Sequence, residues 1–135
     1  MINEKEVEFI KLIGLEAVES YFSAIDTVGQ VDMLTNIKIA EFASGLGNDA
    51  AYGYFYNMET KEETRILTSD KVLTADIMEF AKTLGENSMA YFGVLKKGDK
   101  LDLLTSNKVV NESTTYLVRD IGIVDARAYF EGIKG

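Results

Sequence analysis

The chain has 135 residues, 47% apolar and 27% charged, a balance that fits one compact globular domain and excludes a disordered, collagen-like or coiled-coil chain. It contains no cysteine and no histidine, which removes disulfides, thiol nucleophiles, Cys/His zinc sites and all imidazole acid–base chemistry. The net charge of −8 opposes direct binding to a nucleic-acid backbone, which needs a basic surface. No apolar run reaches the roughly 18 residues that span a bilayer. With no basic, apolar leader at Met1–Glu8, the expectation is a cytoplasmic, intracellular protein.

An internal repeat organises the chain. Tyr21–Lys38 and Tyr91–Lys108 share Tyr21/Tyr91, Phe22/Phe92, Asp32/Asp102, Leu34/Leu104, Thr35/Thr105 and Lys38/Lys108. Ile66–Leu73 pairs in the same way with Leu103–Val110, and Ile39–Gly47 with Ile77–Gly85. Glu8–Gly14 meets Glu79–Gly85, and Ala128-Tyr129-Phe130 echoes Ala90-Tyr91-Phe92. These displacements agree in order, so the chain divides into units of about 36 residues. Their approximate bounds are 4–38, 39–74, 75–111 and a partial 112–135, packed as one domain.

Each unit opens with a helix. In the first, Val7, Ile10 and Ile13 fall at helical spacing, flanked by Phe9 and Leu12. Gly14, Gly47, Gly85 and Gly122 then stand where a helix end turns left-handed. Asn3, Thr74 and Asn111 are suited to cap three of the four helices, and the helix before Gly47 lacks an obvious cap. After each glycine a Tyr-Phe run reads as a strand, followed by a polar turn (Asp26–Gly29, Asn57–Glu63 or Lys96–Asp99) and a second strand ending in Leu-Thr. Gly29 and Gly98 supply the positive φ of a short hairpin. The expected fold is therefore α+β, with about four helices packed on one face of an antiparallel or mixed sheet of about seven strands. A linear solenoid is disfavoured because no polar end caps are visible.

Tyr52, Tyr54 and Tyr56 alternate with Gly53 and Phe55, so a strand would present all three rings on one face as an interaction platform. Glu4 and Glu8, and Glu16 and Glu19, lie at helical spacing on one side of their helices. Paired carboxylates can ligate a divalent cation, but no metal-loop spacing accompanies them. Gly45-Leu46-Gly47-Asn48-Asp49-Ala50 has the letters of a dinucleotide fingerprint in the wrong context, after a helix and before a strand. Leu-Thr-Ser-x-Lys occurs twice, at 67–71 and 104–108, which marks it as a structural part. The expectation is no catalytic residue, no metal and no cofactor.

Residues 1–50 carry nine acids against three bases, so the negative charge is concentrated there. The leading functional expectation is a small, acidic, inhibitor-like interaction protein that binds a partner with a basic surface, such as a nucleic-acid-handling protein, without touching nucleic acid or membrane itself. The interaction surface would include Tyr52, Tyr54, Tyr56, Glu4, Glu8, Glu16 and Glu19. One alternative is a self-assembling homo-oligomer joined through hairpin edges. Another is a small-ligand or divalent-metal protein in which Tyr52 or Tyr54 converges with an acid such as Asp49.

Overall fold

The computed structural model describes residues 4–28 and 37–135, and among these it is all helical with no strand. The α+β expectation, with its sheet and hairpins, is overturned. In order the helices are α1 (Glu4–Ile13), α2 (Leu15–Val28), α3 (Ile37–Tyr56), α4 (Lys61–Leu67), α5 (Ala75–Leu84), α6 (Ser88–Leu95), α7 (Leu101–Leu104), α8 (Glu112–Val118) and α9 (Ile123–Lys134). A 3-10 turn, Gly85–Asn87, joins α5 to α6.

The Tyr-Phe runs are helical for a physical reason. In α2 the buried apolar side chains are Ala17, Tyr21 and Ala24, and in the second half of α3 Ala50, Ala51, Tyr54 and Phe55, recurring at three and four positions. Helix α6 is apolar on all sides because every residue from Ala90 to Leu95 is buried. A short run of that kind carries no periodicity to separate helix from strand. The second strands expected in the second and third units are the short helices α4 and α7, α4 being capped by Thr60, whose hydroxyl accepts the Glu63 N–H at 3.1 Å. The one expected in the first unit, ending at Leu34-Thr35, lies outside the described residues.

Gly14, Gly47, Gly85 and Gly122 all have positive φ, and α3 breaks at Gly47 (φ 81°, ψ 179°) into two helical halves. Each of these glycines lets the chain reverse between a first and a second helix, so the unit is a helical pair and not helix, strand, strand. Thr74 accepts the Ile77 N–H at 3.2 Å and Asn111 the Thr114 N–H at 2.9 Å, capping α5 and α8. Asn3 and Gly29 lie outside the described residues. Gly98, expected in a hairpin, has φ 81° in the turn between α6 and α7.

Successive pairs stack on one another. Helices α1 and α2 pack on α3, α3 packs on α5 and α6, and α5 and α6 pack on α8 and α9, which is the nearest-neighbour order of a helical-repeat solenoid. The same ring cluster recurs at each step. Within a pair, Phe9 meets Tyr21 at 5.2 Å between ring centroids, Phe42 meets Tyr54 at 5.1 Å and Phe80 meets Tyr91 at 5.0 Å. Between pairs, Tyr21 meets Phe55 at 5.0 Å, Tyr54 meets Phe92 at 5.1 Å and Tyr91 meets Phe130 at 5.1 Å. Such tilted and edge-on contacts each add about 0.5–1.5 kcal/mol beyond area burial.

The repeated Leu-Thr-Ser has its own structural task. Tyr54 donates its hydroxyl proton to the Leu67 carbonyl and Tyr91 to the Leu104 carbonyl, both at 2.8 Å. The next residues, Thr68 and Thr105, bond back to the Thr64 and Leu101 carbonyls, each at 2.7 Å. Each buried tyrosine thus ties the end of the following short helix to its own helical pair. Tyr54→Phe strands the Leu67 carbonyl in the core and is expected to cost about 1–3 kcal/mol, read as a lower urea midpoint with an unchanged slope. A change in slope instead would mean that the hydrogen bond is not an isolated contribution.

Candidate functional site

The three tyrosines of the expected platform divide between core and surface, because on a helix alternate residues point to opposite sides. Tyr54 is fully buried against Phe42, Phe55 and Phe92. Burial pushes its phenol above the ordinary tyrosine range, as it does for Tyr91, so both remain hydrogen-bond donors. Tyr54 therefore does not belong to an interaction surface, nor does it converge with the exposed Asp49. Tyr52 and Tyr56, one helical turn apart, stack with centroids 5.7 Å apart and planes 25° from parallel, and Tyr56 is exposed.

Beside that stacked pair runs a groove of about 440 Å³ between α2 and the end of α3. Its floor is apolar: Ala24, Phe55 and Met58, all buried. Its rim is polar, with Ser20 and Ser23 on one side and Tyr56 and Glu59 on the other. Glu16 and Glu19 lie one turn before Ser20 and Ser23 on α2 and are exposed, although neither lines the groove itself. Glu4 and Glu8 are exposed on α1, away from the lining.

The groove lies at the first inter-pair contact for a reason that the repeat makes visible. Gly53 and Asn57 occupy, one pair later, the positions of Ser20 and Ala24. There the contact is tight: Asn57 donates to the Gly53 carbonyl at 2.8 Å and to the Met89 carbonyl at 3.0 Å, clamping α3 to α6. Ala24 has no such group, and Ser20 has a side chain where Gly53 has none. The first contact therefore stays open where the second is closed.

The charges are also unlike in the two halves. Toward the C-terminus most acids find cations: Glu59 and Glu63 share Lys96, Glu62 meets Arg65, Asp102 meets Lys71, and Glu131 lies between Lys97 and Lys134, while among the described residues the exposed Asp76, Glu79, Glu86, Glu112 and Asp125 have no such partner. The Lys97 hydrogen bond holds the Glu131 carboxyl below the usual range. Among the described residues, no cation pairs with Glu4, Glu8, Glu16, Glu19, Asp26, Glu41 or Asp49, all of them exposed. Nor, among the described residues, do three acidic side chains gather where a metal could bind.

Sequence reasoning missed Ser20, Ser23 and Glu59 as groove residues. The signal was the three- and four-residue spacing of Ala17, Tyr21 and Ala24, which assigns α2 as a helix and sets Ser20 and Ser23 beside its buried stripe. In comparisons of the chain with protein families, curated proteins and solved structures, none matches.

Proposed function

We propose that the protein is a non-enzymatic binding module whose first two helical pairs receive a basic segment of a partner protein. The observation that carries this reading is the set of exposed acids without cationic partners beside an apolar groove walled by Tyr56. An arginine or lysine of the partner would place its charge against Glu16 and Glu19. Its aliphatic stem would lie on Phe55 and Met58, and the Tyr56 ring face would add a cation–π contact. A partner held in this way has its own basic surface covered, which would make the module an inhibitor of whatever that surface otherwise binds.

A decapeptide of alternating arginine and glycine is a suitable probe, its binding followed by calorimetry and by the fluorescence of the tyrosines. Binding is expected to weaken as salt rises, because the attraction between exposed charges is screened within about 8–10 Å at physiological ionic strength. The double variant Glu16→Lys/Glu19→Lys is expected to lose at least tenfold in affinity. Glu79→Lys/Glu86→Lys alters net charge equally, at exposed positions on α5 and the turn after it that do not line the groove, and is expected to lose much less. Equal losses in the two variants would show attraction to net charge alone and overturn the site.

A further inference from the structure

The repeated ring contacts give every helical pair two faces, and among the described residues the two ends of the stack each leave one face uncovered. On the face toward the preceding pair, the phenylalanine of the Tyr-Phe dipeptide is the inserted group. Phe55, Phe92 and Phe130 insert into the pair before them and are at most 1% exposed, whereas the equivalent Phe22 is 38% exposed. On the face toward the following pair, the receiving positions are those of Phe9, Phe42 and Phe80, with Ile13, Leu46 and Leu84 one turn later. These six are at most 5% exposed. In the last pair the same two positions are Leu117 and Ile121, and they are 58% and 40% exposed.

The register of the last pair is fixed independently, by the Asn111 cap, which stands where Thr74 caps α5, and by the left-handed Gly122, which stands at the sequence position of Gly85. Helix α8 ends earlier, at Val118, and Ile121 lies in the turn between α8 and Gly122. Leu117 and Ile121 thus keep the apolar character of the receiving face, although nothing in the described chain occupies it. End units adapted to water carry polar outer faces instead. The inserting face at one end and the receiving face at the other are the two halves of a contact that the chain already makes three times.

We propose that a second copy of this chain covers these faces, head to tail. Phe22 of one copy enters over Leu117, Ile121 and Tyr129 of the next, as Phe130 enters over Phe80 and Tyr91 within the chain at 6.3 and 5.1 Å. The faces that meet are different, so the contact is heterologous and does not close at a dimer. It continues the stack from copy to copy. Because every copy is acidic and the contact itself apolar, added salt favours this association while it weakens the capture of a basic peptide. Loss of one property therefore leaves the other standing.

Sedimentation velocity over a concentration series tests the proposal. The wild-type chain is expected to rise in average mass beyond twice its 15.0 kDa, more steeply at high salt. Phe22→Glu and Leu117→Glu alter side chains of the two uncovered faces, and each is expected to keep the wild-type circular dichroism, with some loss of melting temperature where Phe22 packs on Tyr21, while remaining at 15.0 kDa. Phe22→Glu retains the receiving face and Leu117→Glu the inserting face. An equimolar mixture of the two is therefore expected to form a species of twice the single-chain mass and nothing larger. A wild-type chain that stays monomeric throughout would overturn the proposal. So would either variant associating with itself, or a mixture that fails to pair.

Discussion

Phe92→Ala is expected to lower stability by about 3–5 kcal/mol, the cost of emptying a large aromatic site in a packed core. Phe92 is fully buried at the middle step of the stack, with ring centroids 5.1 Å from Tyr54, 5.7 Å from Tyr91 and 6.3 Å from Phe42. Its removal takes contacts from both members of the preceding Phe–Tyr pair at once. In a stack where each pair touches only its neighbours, weakening the middle interface also divides the cooperative unit. Urea unfolding followed by far-ultraviolet circular dichroism should therefore show a lower midpoint and a broadened or two-step transition. Leu117→Ala is the matched control at concentrations where the chain is a monomer, since Leu117 holds a position of the same repeat but is then mostly in water. Its effect is expected to stay within about 0.5 kcal/mol. If the two variants lose stability equally, the aromatic clusters do not hold the stack together.

The contrast between Phe92 and Leu117 also shows what the sequence could and could not convey. Identity between repeats marked the left-handed glycines Gly14, Gly47, Gly85 and Gly122 and the caps Thr74 and Asn111, because these depend on local backbone demands that a residue type alone can meet. Secondary structure after each glycine was misread for an equally local reason. Met89–Leu95 is apolar at every position, and the alternation of Tyr52, Tyr54 and Tyr56 imitates a strand, although Ala50, Tyr54 and Phe55 share the helical stripe that is actually buried. With the wrong period, Tyr54 was assigned to a surface it never reaches. Of the expected residues only Tyr56 lines the groove, with Tyr52 stacked on it and Glu16 and Glu19 one helical turn before Ser20 and Ser23. The groove itself arises from the difference between Ser20/Ala24 and Gly53/Asn57 at equivalent steps, and that difference acquires meaning only when the helices are stacked.

Gly53→Ala is expected to destabilise by about 1–3 kcal/mol, against the helix propensity that would favour alanine. A Cβ at Gly53 would stand 2.9 Å from both the Met89 Cα and the Met89 backbone nitrogen, so α3 and α6 touch backbone to backbone there. The added methyl must push the two helices apart and stretch the bridge from Asn57 to the Met89 carbonyl. Gly132, in the last turn of α9, is the internal comparison: a Cβ there meets nothing within 4 Å. Gly132→Ala should consequently stabilise by about 0.5–1 kcal/mol, the ordinary gain when alanine replaces glycine in a helix. Chemical denaturation of both variants separates close approach from propensity, since only the former gives the two glycines opposite signs. The result also bears on binding, because the seating of α3 on α6 sets where Tyr56 stands at the groove. A loss of peptide affinity in Gly53→Ala, with Glu16 and Glu19 intact, would link that inter-pair clamp to the function. If Gly53→Ala instead proves as stabilising as Gly132→Ala, the helices do not approach so closely in solution, and the placement of Tyr56 falls with them.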